Sequence, residues 1–187
     1  MLYHPDNHLF TIVKFLLISF KQAITMDKIP AIIVDIDGTI ADISHRLHFI
    51  EWEKKDWDGF YHNLSEDKPK QDIIDLIKCI RTSLLSDKEN YCRIIFITWR
   101  SSATYFKTSK WLEECWIIND WKLETASALL MRREWDFRQD YEIKKEIYEN
   151  EVKDKYDVKY VFEDRDQVVK MYRELWLTVL QVANGDF

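Results

Sequence analysis

The sequence predicts an α/β fold, a three-layer sandwich in which a five-stranded parallel, Rossmann-like sheet carries helices on both faces. Three observations predict it. From residue 30 onward, short apolar runs alternate with segments of helical period. The apolar runs are unbroken rather than alternating, as strands buried on both faces require. Residues able to do chemistry lie at the carboxyl ends of three of these runs, where open α/β sheets bind ligands.

The elements follow in order. AIIVDI (31–36) reads as the first strand. Residues 41–68 are mixed, aromatic and charged without a clean period, and predict a small cap insertion. Pro69 is expected to open a helix with Ile73, Ile74, Leu76, Ile77 and Ile80 on one side. RIIFIT (93–98) is the second strand, followed by a sharp turn and a helix over about 101–115. ASALLMR, VKYVFED and LTVLQV read as the remaining strands, with EIKKEIYENEV and QVVKMYREL as the helices between them. The order βαβαβαβαβ implies parallel crossovers and one domain over residues 26–187.

Residues 1–25 read as an N-terminal extension, and Met26 is the expected natural start, since MDKIPAIIVDIDGT leads directly into the first strand. LFTIVKFLLISF (9–20) is too short to span a bilayer. A net charge of −6 argues against a long groove for duplex nucleic acid, whose affinity comes from many Lys/Arg–phosphate pairs. It leaves room for recognition of a strand end by a few local cations. Three cysteines, Cys79, Cys92 and Cys115, have no metal-site spacing and read as reduced core thiols of a cytoplasmic protein without membrane attachment.

IIVDIDGTI (32–40) puts Asp35 and Asp37 two apart at a strand end, so both carboxylates can face one crevice. Such a pair suits nucleophilic catalysis, with one carboxylate attacking while the other manages protons. Gly38 lets the chain turn close to a phosphate. Thr98 can bond a phosphoryl oxygen, Lys144 and Arg100 can neutralise its charge, and Asp35, Glu163 and Asp164 offer hard oxygen ligands for Mg²⁺. Each piece alone is commonplace: a D-x-D is often a cap, and a Lys pair is often a solvated helix face. Their joint order points to function.

This pattern resembles the haloacid dehalogenase superfamily of phosphatases, and more closely the 3′-phosphatase domain of phage-type polynucleotide kinase/phosphatase. DIDGT, FIT, Lys144 and Glu163–Asp164 match the four superfamily motifs. HRLHFI, LLMRR, DFRQDYEIKKEIY, FEDRDQVVKMYREL and LQVANGDF match the narrower family, from about residue 30 to the end. The resemblance implies that Asp35 forms an aspartyl-phosphate and that Asp37 is the general acid and then base. It implies Mg²⁺ on Asp35, the Asp37 carbonyl and Asp164, with Glu163 where the family often has Asp. Thr98 and Lys144 would hold the phosphoryl group, Arg46 and Arg100 would assist phosphate or substrate binding, and Asp140 would orient Lys144 from one helical turn away. The implied substrates are DNA or RNA 3′ ends. No G-x-x-x-x-G-K-[ST] occurs, so 5′-phosphorylation is not expected of these residues, and a separate kinase or ligase is the implied companion. Two alternatives stand beside this reading: a phosphatase of nucleotides or small phosphomonoesters, and a non-catalytic module that binds strand ends.

Two counts are abnormal. There are 3 Gly, against about 13 at average usage, and 8 Trp. Trp99, Trp116, Trp135 and Trp176 fall at expected turns or helix ends, where glycine is the fitting residue. Trp57 and Trp111 fit as packing residues, whereas Trp52 and Trp121 fit either pattern. Translation of UGA codons as tryptophan where the source reads them as glycine accounts for both counts. Glycine is therefore expected at 99, 116, 135 and 176.

Overall fold

The computed structural model describes residues 28–51, 53–84, 92–115 and 127–185. The expectations for residues 1–25 and Met26, and for Trp52, Trp116 and Trp121, lie outside the described residues.

Five strands form the central sheet: β1 (Ile29–Val34), β4 (Arg93–Ser101), β5 (Ser127–Arg132), β6 (Tyr156–Glu163) and β7 (Val179–Gln181). Their spatial order is β5-β4-β1-β6-β7, and every neighbouring pair is parallel. The chain builds outward from β1 on one side through β4 and β5, then returns to the other side for β6 and β7. The order therefore reverses at β1, and a crevice opens at its carboxyl end. The strands are apolar because helices cover both faces: Ile32, Val34, Ile94 and Phe96 face one core layer, and Ala31, Ile33, Ile95 and Val161 face the other.

The cap is built on a two-stranded antiparallel hairpin of β2 (Ala41–Asp42) and β3 (Lys68–Pro69). Between them lie α1 (Ser44–Leu47), α2 (Trp57–His62) and a 3-10 turn, Asn63–Glu66. Ile43 and Phe60 of this insertion belong to the main core cluster, so the cap is welded to the sheet domain by shared burial. The larger helices are α3 (Gln71–Leu84), α4 (Tyr105–Cys115), α5 (Asp140–Ile147) and α6 (Asp166–Glu174).

Some expectations shift. Pro69 ends the cap hairpin, where its missing N–H suits an edge, and α3 starts at Gln71. Ile74 and Ile77 are buried, but Leu76 is 44% exposed, because its angular position lies outside the buried stripe. Cys79 is exposed, which corrects the core reading for that thiol. Cys92 is buried, and burial pushes its thiol up to about 11, into the unreactive range.

The expected sharp turn at Trp99 does not occur. Strand β4 continues to Ser101, and a bulge against β5 between Thr98 and Ser101 absorbs the change of direction. Among the described residues, Trp176 is the only non-glycine with a positive φ, at 62°. The backbone therefore calls for glycine at 176, but not at 99 or 135.

Candidate active site

Two charged clusters meet beneath the carboxyl end of β1. The first surrounds Asp35, which follows β1 directly and whose N–H donates to Phe162 O at 3.0 Å. Lys144, on α5, donates to Asp35 Oδ1 and to Glu163 Oε2, both at 2.8 Å. Asp140, one turn earlier on α5, has Oδ2 3.4 Å from the same ammonium and 3.4 Å from Arg165 Nη1. Asp164 accepts from the Thr39 hydroxyl at 3.3 Å. All five predicted members, Asp35, Asp140, Lys144, Glu163 and Asp164, are buried.

Electrostatics follow from that burial. It raises the Asp35 carboxyl well above its ordinary range, and Glu163 and Asp140 add repulsion that Lys144 only partly offsets. Glu163 and Asp164 are raised too, first by burial, then by neighbouring carboxylates. Burial also works against the Lys144 ammonium, but Asp140, Asp35 and Glu163 outweigh it and keep the lysine charged.

The second cluster surrounds Asp37. Arg100 donates to Asp37 through Nε at 3.0 Å and Nη2 at 2.5 Å, and Arg46 Nη2 donates to Asp37 Oδ1 at 2.7 Å. Both arginines also grip Asp67, which pattern reading missed: Arg46 Nε at 2.6 Å and Nη2 at 2.7 Å, Arg100 Nη2 at 2.6 Å. The four side chains make a charge-balanced quartet. Burial alone would raise Asp37, but Arg100 and Arg46 outweigh it and hold the carboxyl down at about 2. Asp67 sits in an unpatterned stretch of the cap, SEDKP, and carries no local signal of its role.

Gly38 links the clusters at φ 85°, and Lys70 Nζ donates to its carbonyl at 2.6 Å. A Cβ there would stand 2.0 Å from Asp164 Oδ2, so glycine is required by both backbone and space. The Thr98 hydroxyl accepts from Arg100 N–H at 3.2 Å, within the bulged end of β4 that aims Arg100. Arg132 is a second residue that pattern reading missed as an organiser. It is buried and donates to carbonyls of Trp99, Arg133, Glu134 and Asp136 and to the Tyr61 hydroxyl.

Carboxylate oxygens of Asp35, Glu163 and Asp164 lie within 4.8 Å of one another. Glu163 is committed elsewhere: Oε1 accepts from the N–H groups of Asp164 and Arg165, and Oε2 from Lys144. Asp35 Oδ2 and Asp164 Oδ2 accept no hydrogen bond among the described residues. In this cluster four carboxylates face two cations, Lys144 and Arg165. A divalent cation restores the balance, and the all-oxygen donor set suits a hard one. The residues present therefore fit a metal.

Comparison with known proteins identifies the family. The sequence model for the polynucleotide kinase PNKP phosphatase domain matches residues 29–187. The chain belongs to this family. As a PNKP-type phosphatase domain it is 29% identical, over 159 residues, to a protein of Autographa californica nuclear polyhedrosis virus named for bifunctional polynucleotide kinase/RNA ligase activity. That match takes in 84% of this chain and 20% of the viral protein. Two solved structures of a Pnkp1/Rnl/Hen1 complex, one described as an RNA repair complex, are each 29% identical, with TM-scores of 0.67 and 0.66. Each covers 87% of this chain and under half of its own, 48% and 45%. A class C acid phosphatase from Bacillus anthracis shares the fold, with a TM-score of 0.58 at 19% identity over 93% of this chain and 74% of its own. The PNKP-type domain is thus a phosphatase of haloacid dehalogenase-like fold. It spans a fifth of the curated relative's length. Among the described residues no helix is long and apolar enough to cross a membrane.

Proposed function

We propose that this domain is a Mg²⁺-dependent polynucleotide 3′-phosphatase, working in nucleic-acid end repair through an aspartyl-phosphate on Asp35. The observation that carries the reading is the contrast between two carboxylates two residues apart. Asp35 faces an ammonium within an acidic cluster, and Asp37 faces two guanidiniums.

Asp35 attacks phosphorus, and Lys144 and Thr98 hold the phosphoryl oxygens as charge builds on them. Asp37 gives its proton to the departing 3′ oxygen, then takes one from the water that hydrolyses the aspartyl-phosphate. A carboxyl held at about 2 is a poor donor near neutral pH. The groups holding it there are themselves phosphate binders. An incoming phosphate draws Arg46 and Arg100 away from Asp37, and burial then raises Asp37 toward the range of a general acid. Asp35, Asp164 and the Asp37 carbonyl would hold Mg²⁺, which would supply charge neutralisation on the phosphoryl group. Glu163 and Asp140 position Lys144.

The names of the relatives favour RNA ends as substrate. A net charge of −6 fits recognition of a terminus rather than of a long duplex. No P-loop sequence occurs in these 187 residues, so a kinase or ligase acting with this domain, on the same chain or on another, is the fitting companion.

The test is phosphate release from 3′-phosphorylated RNA and DNA oligonucleotides and from free nucleotides, with Mg²⁺ or with a chelator, using Asp35→Asn as the blank. Metal-dependent release from oligonucleotides is expected. A strong preference for free nucleotides overturns the polynucleotide reading, and binding of 3′-phosphorylated ends without turnover favours a non-catalytic module.

A further inference from the structure

The loop that follows β5 presents an aromatic ring largely to solvent. Phe137 is 73% exposed. The loop beneath it is not loose. Arg132, 2% exposed, bonds three of its carbonyls, and the Trp99 indole N–H donates to Arg138 O at 3.2 Å. Arg138 closes the far end on Asp136 and Glu146. The Arg132 guanidinium lies near two rings, 4.5 Å from the Trp99 centroid and 5.5 Å from that of Phe137. Trp99 directly follows Thr98, so the chain of contacts runs from the phosphoryl seat to Phe137 along one rim of the sheet.

We propose that Phe137 forms a base-stacking subsite, receiving an unpaired nucleobase at the 3′ end of the substrate while its phosphate occupies the Asp35 crevice. This rests on the polynucleotide reading above. A rigid, exposed aromatic face stacks any base, because every base has a π-face. The local charge fits as well: residues 132–138 hold three arginines against two carboxylates, in a chain of net charge −6. Arg133 is exposed and has no ion-pair partner among the described residues, which leaves it available to a backbone phosphate.

The experiment compares wild type, Phe137→Ala and Phe137→Tyr on three substrates: a single-stranded 3′-phosphorylated oligonucleotide, the same oligonucleotide lacking its terminal bases, and glycerol phosphate, which has no ring to stack. Loss of the ring is expected to raise KM for the intact oligonucleotide about tenfold. Its kcat, and all constants for glycerol phosphate, should stay unchanged, and Phe137→Tyr should behave as wild type. The abasic oligonucleotide should be a weaker substrate for wild type by a similar factor and indifferent to Phe137→Ala, the signature of one shared interaction. If the oligonucleotide is turned over and Phe137→Ala is neutral, the stacking subsite is wrong and the loop is left as a surface for a protein. Wild type that uses glycerol phosphate but no oligonucleotide overturns the polynucleotide reading itself, and this proposal with it.

Discussion

Replacing Trp176 by glycine should make the protein more stable. The residue closes α6 in a Schellman arrangement: its N–H donates to Arg173 O at 3.0 Å, and the N–H of Leu177 donates to Tyr172 O at 3.1 Å. That geometry needs a left-handed residue, and Trp176 sits at φ 62°. An L side chain in this region costs roughly 1–2 kcal/mol. The indole is 93% exposed, so little packing is lost when it is removed. Glycine's extra freedom in the unfolded chain takes back about 0.5–1 kcal/mol. The net gain is about 0.5–1 kcal/mol, or a rise in Tm of about 1–4 °C for a chain of this size. Trp99→Gly is the opposing control. That indole packs 5.6 Å from the Trp57 ring, covers Arg132 and donates to Arg138 O. Its loss should cost about 2–3 kcal/mol, summing an aromatic pair, a cation–π contact and glycine's entropy. Calorimetry or a thermal melt followed by circular dichroism reads both. A lower Tm for Trp176→Gly, or a higher one for Trp99→Gly, would refute the reasoning. Codons or peptide masses at the two positions then decide which residue the source protein carries.

Other outcomes are expected on the same grounds. Gly38→Ala drives a methyl into Asp164 Oδ2, so phosphatase activity should fall at least a hundredfold and the response to added Mg²⁺ should weaken, read by phosphate release across a Mg²⁺ titration. Asp67→Ala leaves two buried guanidiniums with one carboxylate between them; the loss should approach 3–5 kcal/mol, seen in urea unfolding, and kcat should drop as Arg46 and Arg100 lose their aim. In metal-free protein, burial pushes Glu163 up to about 7 and Asp164 up to about 6. Raised carboxyls contribute stability that is complete below about pH 4, where the unfolded chain titrates, and that is lost as pH climbs through 6 to 7. Without metal, Tm should therefore be lower at pH 8 than at pH 5.5, and Mg²⁺ should recover more at pH 8, where no proton competes for the carboxylates.

The sequence by itself determined the sheet, because strands buried on both faces must be apolar throughout and their crossovers must be helical. The same alternation carried Asp35, Thr98 and Glu163–Asp164 to one end of the sheet, since Glu163 ends a strand, Asp35 and Asp164 lie just beyond one, and Thr98 sits in β4 just before its bulge. Gly38 was legible too, as one of 3 glycines in the chain and the one that follows D-x-D. Position 176 was legible as a turn whose residue did not suit it, and the φ of 62° agrees. The sharp turn expected at Trp99 was misread because a bulge can redirect a strand without a left-handed residue, and no one-dimensional pattern distinguishes the two.

Only the tertiary structure decided the partners of the charges. Asp67 meets Arg46 across 21 residues and Arg100 across 33, and Lys144 meets Asp35 across 109. Contacts of that span leave no periodic trace, because what selects them is the desolvation of buried charge. A carboxylate or guanidinium sealed from water must find its counter-charge wherever the fold brings one, and sequence distance does not enter that requirement.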